Sequence, residues 1–156
     1  MNIRTWAGGL VVCLAAAAAF WWTQRAPAYE LIPQPDQNVL LVTIDTLRAD
    51  ALGADGGRAA TPNLDRLAGS GARFTFAHAH AVVTLPSHTS ILTGQLPYEH
   101  GIRDNIGFRV KDGTPTLATR LKAQDFATAA FIGGFPLTRR FGLAPGFDTY
   151  DDQISE

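Results

Sequence analysis

Two features of this sequence have the residue types and placement to do chemistry. The first is an acid at the end of an apolar run, Asn38-Val39-Leu40-Leu41-Val42-Thr43-Ile44-Asp45. The second is a hydroxyl residue just ahead of a helix start, Thr84-Leu85-Pro86-Ser87-His88-Thr89-Ser90-Ile91-Leu92-Thr93-Gly94. In an open α/β sheet, strand ends and helix starts meet at one rim, where ligands bind. A strand-end carboxylate such as Asp45 offers hard oxygens to a divalent cation. A threonine hydroxyl such as Thr84 is a poor nucleophile until metal coordination favours its alkoxide. Ser87 and the amides of the following turn form a helix N-terminus, which suits a sulfate or phosphate group. The pair therefore points to metal-assisted attack on an ester of such an anion.

The other polar candidates read more plainly as structural. Asp50 is expected to be a solvated turn residue. His78 and His80 have the two-residue spacing a metal could use, but bulky aromatics stand beside them. His100, in Glu99-His100-Gly101, reads as a loop or packing residue.

These residues need elements to hold them. Asn38 to Ile44 is a continuous β-branched and leucine run, which predicts a central parallel strand buried on both faces. Thr61-Pro62-Asn63-Leu64 starts a helix, with Thr61 as its cap and Pro62 at the first helical position. Gly69 or Gly71 ends it. Arg73 to His80 alternates enough to predict a strand. Ser87 to Leu92 is a short helix stopped by Gly94. Thr116 to Ala123 is a further helix and Ala127 to Ile132 a further strand. Strand and helix alternate, so the expected class is α/β with a largely parallel sheet flanked by helices.

Composition narrows the function. The chain has 156 residues, net charge -1 and 17% charged residues, about one domain with no basic surface for nucleic acid. Trp6 to Trp22 is an uninterrupted run of apolar and small residues between Arg4 and Arg25. As a helix it would span about 25 Å, short of the bilayer core of about 30 Å. Residues 1–25 therefore read as a signal anchor with Trp6, Trp21 and Trp22 at the interface, or as a signal peptide with Ala26-Pro27-Ala28 at its cleavage site. Either places the rest in the periplasm or outside the cell. Residues 26–37, with three prolines, form a linker. The single cysteine, Cys13, lies inside the apolar run, and Val12 before it does not fit a lipoprotein signal.

The Asp45 and Thr84 segments together resemble the sulfatase family of the alkaline phosphatase superfamily. The resemblance covers roughly Asn38 to Asp151, and residues 38–156 would then be the N-terminal part of a sulfatase-like catalytic domain with an alkaline-phosphatase-like fold. It implies that Asp45 binds a divalent metal (calcium, zinc or magnesium) and that Thr84 attacks the ester. Thr46 stands where many sulfatases carry a second Asp. Thr84 stands in place of the cysteine that sulfatases convert to formylglycine, and His88 in place of their arginine, so a Thr alkoxide is the natural substitute. The run Thr84-x-Pro86-x-His88, followed by Leu96-Pro97-Tyr98-Glu99-His100-Gly101-Ile102 and Asp104-Asn105, is also similar to the nucleotide pyrophosphatase/phosphodiesterase branch. That likeness implies a Thr nucleophile and Asn105 as a donor to the phosphoryl oxygen, which a neutral amide can be. The implied site is thus Thr84, Asn105 and His88 for catalysis, with Asp45, Thr46 and Thr84 toward the metal. The family's later Asp, His and Asn ligands have no match between Asn105 and Glu156, so the expectation is a fragment, inactive alone. The activity expected of the family is hydrolysis of a sulfate or phosphate ester. A phosphodiesterase, a phosphoethanolamine-type transferase or an inactive membrane-tethered binding domain are the alternatives.

Overall fold

The computed structural model describes residues 13–17, 19–22, 32, 34 and 37–154. They fall in two compact units, Met1–Val42 and Thr43–Glu156. In the first unit, residues 13–17 and 19–22 are helical and exposed. Among the described residues no helix is long and apolar enough to cross a membrane. Most of the anchor or signal segment expected over 1–25, and most of the linker, lie outside the described residues.

The second unit begins with tight turns. Single 3-10 turns at Ala49–Ala51 and Gly53–Asp55 lead into α1, Pro62–Ser70. Pro62 opens α1, as the sequence predicts, because the first turn of a helix needs no amide donor there. Thr61 is its N-cap residue, yet its hydroxyl turns to Asp65 (2.9 Å) and accepts from the Gly53 amide (2.9 Å). Asp65 in turn accepts from the Ala54 amide. The cap has become a cross-link between α1 and the Gly53–Asp55 turn.

Next come α2, Thr84–Thr93, and the short α3, Pro97–His100. Gly94 ends α2 at φ 71°, a left-handed conformation that glycine takes without cost, and its amide reaches back to the Ser90 carbonyl at 2.8 Å. α4, Leu117–Lys122, is capped by Thr116, whose hydroxyl accepts from the Thr119 amide. β1, Ala129–Phe131, and β2, Thr149–Asp151, pair in parallel, with Ala130 opposite Tyr150. The segment between them carries turns at Phe135–Leu137 and Arg139–Phe141. Helices with a parallel strand pair make the unit α/β, as the alternation of elements predicts.

The core sits under α2. Leu85, Ile102, Val110, Phe141 and Leu143 are buried together, with Leu92, Phe108, Leu137 and Tyr150 against them. Leu85 is 0% exposed. Gly142 lets two segments of this core meet: a Cβ there would collide with the Val110 carbonyl.

Three expectations need correction. Asn38 to Ile44 is neither strand nor buried. It is irregular, without ladder partners among the described residues, and Leu40 is 88% exposed. β-branched content disposes a segment to extension, but a strand exists only when another accepts its hydrogen bonds. Arg73 to His80 likewise holds no strand, only irregular chain with a few bends, and Phe74 and Phe76 are exposed. The Phe76 and His78 rings do share a side there, meeting edge to face at 4.4 Å. Finally, α2 starts at Thr84 and not at Ser87. Proline is tolerated throughout a first turn, where amides lack intrahelical partners, so Pro86 does not delay the helix.

Candidate active site

The site assembles from three segments of the second unit. Asp45 and Thr46 form a turn, and Thr46 has φ 58°. A β-branched residue in the left-handed region is strained by about 1–2 kcal/mol. Strain of this kind is retained where the surroundings over-determine it, often at working sites. The turn directs Asp45 with both oxygens engaged. Its Oδ1 accepts from the Thr46 amide at 3.0 Å, and its Oδ2 accepts from the Thr84 hydroxyl at 3.1 Å. An acid and a hydroxyl 39 positions apart in sequence thus meet directly.

Thr84 is the first residue of α2. Its neighbour Leu85 is driven into the core, which fixes the turn that carries the hydroxyl. Val83 precedes the helix and has no side-chain acceptor for the first amides. Asn105 supplies one from 20 residues away: its Oδ1 accepts from the Leu85 amide at 2.8 Å. With its carbonyl so engaged, Asn105 has its amide nitrogen as donor beside the Thr84 turn. The expectation that backbone amides of this helix start receive an anion is reduced by the same geometry. Leu85 N–H is given to Asn105, Ser87 N–H to the Val83 carbonyl (3.1 Å), and Pro86 has none.

His88 lies one turn further along α2. Its Nδ1 is 2.9 Å from the Thr84 carbonyl and its Nε2 3.0 Å from Thr43 Oγ1. The carbonyl can only accept, so Nδ1 carries the proton and donates to it, while Nε2 meets the Thr43 hydroxyl. His88 therefore ties the segment holding Asp45 to the turn holding Thr84. Thr43 went unremarked in the sequence, although it precedes Asp45 by only two residues.

His100 is bonded on both ring nitrogens, to Ser90 Oγ at 3.0 Å and to the Ile102 amide at 3.1 Å. Burial depresses its pKa, against an opposing pull from Glu99. Asp50 pairs with Arg48 on the surface. Among the described residues no three acidic, histidine or cysteine side chains cluster so as to hold a metal ion. Asp45, Thr46 and Thr84 offer oxygens of the kind a divalent cation takes, but one carboxylate is too few to complete its shell.

A carboxylate and a hydroxyl thus meet at a helix start on an α/β unit. The family model Sulfatase matches residues 37–154. Arylsulfatase G of Mus musculus is 34% identical over 124 residues, covering 76% of this chain and 23% of its own length. Arylsulfatase A of Bos taurus is 35% identical over 116 residues, 70% of this chain and 23% of its own length. N-acetylgalactosamine-6-O-sulfatase of Bacteroides thetaiotaomicron is 31% identical over 116 residues, 69% of this chain and 21% of its own length. The chain belongs to the sulfatase family of the alkaline phosphatase superfamily and spans less than a quarter of the length of these relatives.

Proposed function

We propose that this unit carries the nucleophile of a sulfatase-family hydrolase acting on sulfate or phosphate esters, with Thr84 as that nucleophile. The observation that carries the reading is the Thr84 to Asp45 hydrogen bond at the start of a core-anchored helix. Thr84 Oγ1 bonds to the sulfur or phosphorus as the bond to the ester oxygen breaks; the Thr84 proton passes to Asp45 Oδ2 and from there, through water, to the departing ester oxygen, which leaves as the free alcohol and returns Asp45 to the carboxylate. The developing negative charge on the non-bridging oxygens is met by the Asn105 side-chain amide, a fixed neutral donor. Water then cleaves the Thr84 ester and restores the hydroxyl. His88 keeps the acid and the hydroxyl in register through Thr43.

Asp45, Thr46 and Thr84 would contribute oxygens to a divalent cation (calcium, zinc or magnesium), whose other ligands these residues do not provide. The relatives' names point to sulfate esters. A threonine in place of an oxidisable cysteine, with His88 and Asn105 beside it, favours phosphate diesters as the second reading. We further propose that the N-terminal apolar segment exports or anchors the protein, placing the unit in the periplasm or outside the cell and beside the membrane.

Substitution tests the nucleophile. In the full-length protein, Thr84→Ala is expected to abolish turnover of an aryl sulfate and an aryl phosphodiester, while Thr84→Ser retains some on whichever is the substrate. Parent-like turnover by Thr84→Ala would remove Thr84 from the reaction.

A further inference from the structure

The pair of histidines around α2 divides into one that ties Thr84 to Asp45 and one that the proposed reaction leaves unused, His100. Its geometry is restrictive. The Ile102 backbone N–H can only donate, so His100 Nδ1 must be bare to accept it at 3.1 Å. Nε2 then carries the proton and donates to Ser90 Oγ at 3.0 Å. Only the neutral Nε2–H tautomer makes both bonds. Ser90 is buried on α2, the helix that begins with Thr84. Ile102 is buried against Leu85. Three residues beyond Ile102, Asn105 caps the Leu85 amide. The segment from His100 to Asn105 is thus fastened to the nucleophile helix at its middle and at its first turn, and His100 makes the middle fastening.

We propose that His100 is a positioning residue: as the neutral Nε2–H tautomer it sets the path of residues 100–105 and so places Asn105 against the Thr84 turn. Protonation puts a second donor against the Ile102 N–H, so that bond is lost and the segment loosens. Around the ring, α2 carries no charged side chain and its one other titratable group, His88, is turned to Thr43. On α3 itself Glu99 is the facing charge, and its carboxylate is held by the Leu96 amide at 2.7 Å. The depressed pKa accords with a ring built to stay neutral. The inference rests on the reading of Thr84 and Asn105 as site residues, but its test does not use activity, so the two can fail separately.

The experiment is an NMR titration of the 156-residue chain labelled with 15N, at a concentration low enough that sedimentation shows it monomeric, from about pH 8 to about pH 5, across the ordinary histidine range. Above the midpoint, the long-range ring spectrum should show His100 as the Nε2–H tautomer. The backbone amides of Ile102, Asn105 and Leu85 should then shift together with the ring, at one shared midpoint below the ordinary histidine value. In His100→Asn, whose Oδ1 still accepts from Ile102 but does not titrate, the Leu85 and Asn105 amides should keep their neutral-pH positions across the range. An Nδ1–H tautomer, or a His100 titration that leaves Leu85 and Asn105 unmoved, would overturn the proposal. So would Leu85 and Asn105 shifts that persist unchanged in His100→Asn. If that variant does not fold, the parent titration alone decides.

Discussion

Asn105 has two ends with two separable tasks, and exchanging one atom at a time should separate them. Its Oδ1 caps the Leu85 amide at 2.8 Å, 20 residues away, in a partly buried position. Asn105→Ala removes that acceptor and leaves the amide of a buried residue without its partner. Loss of a helix-capping acceptor costs about 1–2 kcal/mol, as does an unsatisfied, partly buried donor. With a urea slope of about 1.5 kcal/mol per molar for a unit of this size, the unfolding midpoint should fall by about 1 M. Asn105→Asp retains an oxygen at the same place and adds a negative charge near a helix N-terminus, which is favourable by about 0.3–1 kcal/mol. Its stability should match or exceed that of the parent. It has no amide donor, however, and it sets a negative charge against an anionic group. Loss of one oxyanion donor costs about 100-fold to 1000-fold in rate, so in the full-length protein turnover should fall by at least that factor. Urea unfolding followed by circular dichroism, with ester turnover measured on the same variants, makes the comparison. Equal destabilisation by Ala and Asp would refute the capping role. An active Asn105→Asp would refute the donor role.

Other consequences follow from particular contacts. Asp148 is held at about 2 by Lys122 first, then by the Thr128 amide and hydroxyl. Its folded pKa lies below the ordinary value of about 3.9, so its contribution is complete above that value and is lost as pH falls toward 2. Asp148→Asn should flatten the acid limb of stability over that window, and an unchanged limb in acid titration would contradict this. Thr46→Asn, with a residue that accepts φ near 58° more readily, should raise stability by up to about 1 kcal/mol, read as a higher urea midpoint; a fall would show that Thr46 is not strained. In the second unit Phe74, Phe76, Val82, Ile106 and Phe131 are exposed apolar side chains. The 156-residue chain should therefore self-associate and, lacking a complete metal site among its described residues, hydrolyse model esters no faster than buffer. A monodisperse, active chain in sedimentation and turnover assays would contradict both.

The sequence was informative wherever a local rule sufficed. Pro62 at the start of α1 and Gly94 at the end of α2 are short-range chemistry, and each stands where the pattern places it. Asp45 and Thr84 could be picked out singly by residue type, but their contact spans 39 positions and required the fold. The cap from Asn105 was invisible for the same reason, although apolar Val83 before a helix signals that an acceptor must come from elsewhere. The strand reading of Asn38 to Ile44 misled because hydrophobic patterning reports a preference for burial and extension, not the presence of a neighbour. Thr46 could not be anticipated at all, since nothing in a β-branched residue announces φ above zero.

The central claim is that Thr84 forms the covalent ester, and a trapped intermediate tests it most directly. The full-length protein is mixed with an aryl sulfate or an aryl phosphodiester, quenched in acid during turnover, digested and mapped by mass spectrometry. The account predicts a sulfo or phosphoryl adduct on Thr84, absent from Thr84→Ala and from unreacted protein. Turnover with the adduct on a different residue, and Thr84 unmodified throughout, would contradict it.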